Sequence, residues 1–84
     1  MKIIFTRHAL SKFEIFAACG VKIGRKNVES AIKQPENLDF ESDYPKMIAS
    51  TNFNSKHVIR VVYKREDDII KVITFYPAEK GRYY

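Results

Sequence analysis

Two runs in the last third of the chain constrain the fold most. His57-Val58-Ile59-Arg60-Val61-Val62-Tyr63-Lys64 and Asp68-Ile69-Ile70-Lys71-Val72-Ile73-Thr74-Phe75-Tyr76-Pro77 are rich in β-branched and aromatic residues. The acidic stretch Glu66-Asp67-Asp68 joins them. Such runs, bounded by turn residues, form strands, and two joined this closely form a hairpin. Each carries a polar residue at its middle, Arg60 in the first and Thr74 in the second. An arginine inside a strand that packs on a core must snorkel, pair with an acid or meet an anion. A three-residue loop at Glu66-Asp68 places Arg60 opposite Thr74 and Val58 opposite Tyr76. Ile59, Val61, Ile73 and Phe75 then face the core, and the polar groups collect on the other face. Another loop length would shift these pairs.

The residues before the hairpin supply the cover for that core. Lys2-Ile3-Ile4-Phe5 reads as a short strand, and Thr6 as the N-cap of a first helix. Ala9, Phe13, Phe16 and Ala17 recur at helical spacing, flanked by Leu10 and Ile15, and Gly20 stops the helix. Cys19, the single cysteine, sits at the end of this pattern and reads as a packed thiol; it allows no internal disulfide and no metal-site spacing. A connector, Val21 to Gly24, leads to a second helix, about Arg25 to Lys33, with Val28, Ala31 and Ile32 on one side. Pro35 ends it. Arg25 and Lys26 stand in its first turn, the unfavourable end for positive charge, which is either a small penalty or a place for a phosphate. Gln34 to Pro45 is polar and acidic and reads as a loop. Met47 to Phe53 is a strand, Asn54-Ser55-Lys56 a turn, and Pro77 the end of the last strand. The order implies an α+β single domain over residues 1–84. Two N-terminal helices pack on one face of a three- to four-stranded antiparallel sheet, and the second face is open to solvent or ligand.

Charge suggests what meets that open face. The net charge is +5 and is uneven. Residues 34–43 hold Glu36, Asp39, Glu41 and Asp43 and no base, while both flanking segments are basic. A positive surface favours polyanions, of which nucleic acid is the expected one, with an acidic protein partner second. No apolar run is long enough to cross a bilayer, and the N-terminus lacks the apolar length of a signal peptide, so a cytoplasmic protein without a membrane partner is expected.

No carboxylate pair, Cys/His ligand set or Gly-rich phosphate loop is present, so no metal and no cofactor is expected. Chemistry without metal suits RNA, whose own 2′-OH can act as the nucleophile. It needs a base, a cation on the phosphate and an acid for the leaving oxygen. His8, in the first turn of the first helix, is the candidate acid or base, whereas His57 at a turn reads as solvated. Arg60 is the candidate phosphate clamp, because guanidinium binds phosphate in a fork. Thr74 could hydrogen-bond a phosphate oxygen. Tyr76, Tyr83 and Tyr84 could stack bases, with Arg82 adding a cation. The plainer alternative pairs Arg60 with an acid such as Asp39 or Glu41.

A larger pattern connects these residues. His8 is followed by Gly20-Val21-Lys22-Ile23, a helix closing before Pro35, then Ile59-Arg60-Val61-Val62-Tyr63, a charged turn, Val72-Ile73-Thr74-Phe75-Tyr76-Pro77 and Arg82-Tyr83-Tyr84. This resembles a family of small prokaryotic domains related to the RelE and ParE toxins, within the wider barnase–EndoU–colicin–RelE nuclease fold group. The resemblance spans nearly the whole chain, being firmest over residues 57–84 and loosest over 36–46. It implies a RelE-like fold and a toxin-like, metal-independent endoribonuclease held by an acidic antitoxin protein. It also implies a basic residue, a His and a Ser/Thr sharing the sheet face, to which Arg60, His8 and Thr74 correspond. The chain departs from ribosome-dependent RelE toxins in having Lys80 and Arg82 but no dense basic cluster near its end. The alternative of the same fold is a non-catalytic module that binds nucleic acid or inhibits an enzyme, as fold alone does not fix function.

Overall fold

A computed structural model of the chain describes residues 2–81. The tail residues Arg82, Tyr83 and Tyr84, expected to add a cation and stacking rings beside the open face, lie outside the described residues. The elements run β1 (Lys2–Phe5), α1 (Arg7–Ala18), α2 (Arg25–Lys33), β2 (Asn37–Asp39), β3 (Met47–Asn52), β4 (His57–Glu66) and β5 (Ile69–Glu79). The strands form one sheet in the order β1-β5-β4-β3-β2. From β1 at one edge the chain crosses one face through α1 and α2 to the far edge. It returns strand by strand until β5 closes against β1.

The α+β class and the two helices on one face are as expected, but the sheet differs from the expected three or four antiparallel strands. It has five strands and is mixed, because β1 pairs with β5 in parallel, Lys2 opposite Ile69 through Phe5 opposite Val72. The fifth strand lies inside the acidic segment read as a loop. Asn37–Asp39 pairs with Ser50–Ile48, and the Glu36 N–H adds a bond to the Ser50 carbonyl at 2.9 Å.

The helix ends follow their local chemistry. At the C-terminus of α1, Gly20 takes φ +83°, its N–H donates to the Ala17 carbonyl at 3.0 Å, and the Val21 N–H donates to that of Phe16 at 2.8 Å. This is a Schellman closure, which needs the left-handed residue that glycine supplies without strain. Cys19 ends up exposed on this turn, not packed. At the start of α2, Asn27 Oδ1 accepts from the Gly24 N–H at 2.9 Å. The Arg25 guanidinium lies 4.9 Å from the Phe5 ring centroid, so a cation–π contact offsets part of its position at the positive end of the helix.

The core lies between the helices and one sheet face. Ala9, Val28, Ala31 and Ile32 meet Ala49, Ile59, Val61, Tyr63, Ile70, Val72 and Phe75. Phe13 bridges the rings of Phe5 and Phe75 at centroid distances of 5.7 and 4.6 Å. In β5 the core residues Ile70 and Val72 are even-numbered, but Phe75 is odd. A strand alternates faces with period two, so one extra residue must intervene. The ladder shows it. Val62 pairs with Thr74, Tyr63 pairs with Val72, and Ile73 is the additional residue of a β-bulge.

This bulge corrects the expected hairpin register. The loop has two residues, Asp67-Asp68, with Glu66 opposite Ile69. Asp67 takes φ +54°, a left-handed conformation that aspartate tolerates better than most residues. Arg60 therefore pairs with Tyr76 and Val58 with Ala78, and Ile73 is half-buried outside the core. Nor does Pro77 end the strand. The Lys80 N–H donates to the Lys56 carbonyl at 3.0 Å. By alternation the rungs at Val58–Ala78 and Arg60–Tyr76 are hydrogen-bonded, and Ile59–Pro77 is not. The missing N–H of Pro77 points away from β4, beyond the end of β1, and no ladder bond is lost.

Thr6 ties the bulge to the first helix. Its N–H donates to the Val72 carbonyl at 3.0 Å and its hydroxyl to the Ile73 carbonyl at 3.0 Å. The same Oγ1 accepts from the Ala9 N–H at 3.1 Å as the cap of α1. Replacing Thr6 with Val should remove both side-chain bonds and cost about 1–2 kcal/mol in urea unfolding, whereas Thr6→Ser should retain most of the stability. Loss in Thr6→Ser with Thr6→Val unchanged would mean that the methyl group, not the hydroxyl, is what matters there.

Candidate nucleic-acid interface

Residues paired directly across a ladder share a face, so the register assembles the surface opposite the helices row by row. One row runs Asn37, Ser50, Arg60, Tyr76 across β2, β3, β4 and β5. The next runs Asp39, Ile48, Val62, Thr74. A third, nearer the hairpin tip, runs Lys64, Lys71, Ile4, with Lys2 on the same face of β1. The face is polar along its first row, apolar at the centre of its second and basic at its third.

Arg60 and Tyr76 form the centre. Arg60 Nε donates to Tyr76 Oη at 3.1 Å, and the guanidinium carbon lies 5.9 Å from the Tyr76 ring centroid. Both side chains are half-buried. Around them the small or apolar residues Ser50, Val58 and Val62 are only 2%, 3% and 9% exposed. The long Arg60 and Tyr76 side chains lie over this apolar floor and carry their polar ends outward.

Thr74 is a diagonal neighbour of Arg60, not its direct partner, at the roughly 7–8 Å typical of such positions. His8 is elsewhere. It is exposed in the first turn of α1, which packs on the Phe75 face, so the sheet separates it from Arg60, Thr74 and Tyr76. The structure thus brings Arg60, Thr74 and Tyr76 together and leaves His8 behind. His57 is half-buried at the start of β4, its Nδ1 3.2 Å from Asn54 Oδ1 in the turn.

The acidic neighbour of the face is Asp39. Its Oδ1 accepts from the backbone N–H groups of Glu41 and Ser42 at 3.1 and 3.0 Å. These bonds, led by the Ser42 N–H and helped by the Ser42 hydroxyl, hold its carboxyl below the ordinary 3.8, and the Arg60 charge adds a smaller pull in the same direction. The sequence had offered Asp39 as a direct ion-pair partner for Arg60. Here it mainly serves the turn after β2. Sequence reading missed Asn37 as part of the face and left Asp39 in a loop because β2 is only three residues long and its alternation, Asn37-Leu38-Asp39, is too short to signal a strand.

Among the described residues no group of three or more His, Cys, Asp or Glu is placed to hold a metal ion, and no helix is long and apolar enough to cross a membrane. No family model, curated protein or solved structure matches this chain.

The Asp39 carboxylate makes a pH prediction. Its folded pKa is lowered, so its contribution to stability is present above the unfolded value of 3.8 and is lost as pH falls through the lowered value. Wild type should have a higher urea midpoint than Asp39→Asn at about pH 6, and the two should converge by about pH 2. A constant difference at every pH would assign the effect to shape, not charge.

Proposed function

We propose that the face opposite the helices binds single-stranded RNA, with Arg60 on a phosphate, Thr74 on a phosphate oxygen and Tyr76 against a base. What carries this reading is the Arg60–Tyr76 couple, a cation and a ring joined at 3.1 Å at the centre of a basic face. Guanidinium suits phosphate, and an aromatic ring beside it suits an unstacked base. The motif-level resemblance to relatives of RelE and ParE toxins supports the same ligand class, as does the net charge of +5. An acidic antitoxin protein in the cytoplasm would be the natural competitor for such a face.

The second reading is a toxin-like, metal-independent endoribonuclease of RelE-like type. The Arg60–Tyr76 bond favours it too, because it puts an ionisable hydroxyl beside the phosphate cation, and tyrosine is among the side chains that move protons in catalysis. His8 stays outside this arrangement.

Anisotropy with a labelled single-stranded RNA should show affinity falling steeply with salt. Tyr76→Ala should lose the stacking worth about 1–3 kcal/mol, or about 5- to 150-fold in Kd. Arg60→Ala should weaken binding further, and His8→Ala should leave it unchanged. A flat salt response would remove nucleic acid as the ligand. RNA decay in EDTA separates the two readings. Cleavage by wild type that is lost in Tyr76→Phe while binding persists selects the nuclease, and binding without turnover selects the binding module.

A further inference from the structure

The third row of the face has no part in the Arg60–Tyr76 site. Lys64 on β4 and Lys71 on β5 are directly opposite, and Lys71 is also the direct partner of Ile4 on β1. Lys2, two residues before Ile4, shares the face. Like charges directly opposite each other are destabilising. Among the described residues no ion pair relieves them: the acids of the hairpin tip, Glu66, Asp67 and Asp68, end the patch without pairing to Lys2, Lys64 or Lys71. Strand alternation keeps Arg60 and Lys64 on one face four positions apart, which is about 13 Å along β4. Val62, 9% exposed, and Thr74 lie between them.

We infer that Lys64 and Lys71, with Lys2 beside them, form a second phosphate subsite for the same RNA strand, and that the ligand is a single strand running along β4 from Arg60 toward the hairpin tip. This rests on the RNA-binding reading of the Arg60 site. A stacked strand rises about 3.4 Å per nucleotide, so about 13 Å corresponds to roughly four stacked steps, or fewer in a stretched strand. A mononucleotide or dinucleotide reaches one subsite only, and a longer strand reaches both. The low, apolar Val62 between the two cationic sites leaves room for the intervening nucleotides, and lysines as flexible point charges accept a backbone without fixing its sequence.

The test compares wild type, Arg60→Gln and the double variant Lys64→Gln/Lys71→Gln on single-stranded oligonucleotides of two and of eight nucleotides. Each is titrated by anisotropy over a range of salt. The double variant should bind the dinucleotide as wild type does. On the octanucleotide its slope of log K against log salt should be shallower by about 0.7 for each phosphate that the variant no longer neutralises. Arg60→Gln should weaken both lengths. An octanucleotide slope unchanged in the double variant, with Arg60→Gln still weak, would overturn the second subsite and leave the first intact. Equal weakening of both lengths by the lysine changes would also overturn it, since that marks a general field and not a separate subsite. No binding of either oligonucleotide by wild type would overturn the RNA reading itself. Circular dichroism of the double variant should match wild type, as neither lysine belongs to the core.

Discussion

The extra residue in β5 is the constraint on which the face depends. With the two-residue turn at Asp67-Asp68 and no bulge, Arg60 would pair with Phe75. Phe75 would then share the open face with Arg60 and Lys64 and leave the core where it packs against Phe13 and Phe16, at the cost of exposing a large aromatic side chain. The bulge at Ile73 shifts the ladder by one and puts Arg60 beside Tyr76 instead. A bulge leaves backbone groups without ladder partners, and Thr6 takes one of them through its hydroxyl. The cap of the first helix and the register of the hairpin thus share one oxygen.

This explains which parts of the structure were legible in the sequence. The helices were, because their signals are local: Thr6, Gly20 and Pro35 bound them, and Val28, Ala31 and Ile32 mark the buried side of α2. The hairpin was legible as two strands but not in register. Its turn is ambiguous among acidic residues, and the information that settles the register is the odd spacing from Val72 to Phe75, a conflict in periodicity. The parallel pairing of β1 was not legible, because it joins residues nearly seventy positions apart and has no local signature. Of the proposed site, the run itself pointed to Arg60 and Thr74 as polar interruptions, and the convergence of Arg60 with Tyr76 needed the bulge. His8 was placed by its position after the first strand. Sequence order does not say on which side of the sheet a helix will lie.

The Arg60–Tyr76 centre of the face also shows how a small domain can carry a charge over a closely packed floor. Ser50, Val58 and Val62 are short and give the floor close packing between strands. Arg60 and Tyr76 cover that floor with long side chains whose ends remain polar. The face is therefore sheltered from water near the backbone and polar at its outer surface. Acidic groups are kept to its borders, at Asp39, where backbone N–H donors hold the carboxylate, and at Glu66 beside the hairpin turn.

The position of Pro77 bears on how these molecules behave toward one another. Past Val72 no β1 residue pairs with β5, so among the described residues the outer side of the strand from Phe75 to Glu79 has no ladder partner. Such an edge is a template on which a second chain can add a strand, the first step toward aggregation. Pro77 sits at the middle of that stretch and withholds the donor that an incoming strand would need, while its ring obstructs close approach. The proline that leaves the internal ladder intact is also a guard against polymerisation along the outer side of β5.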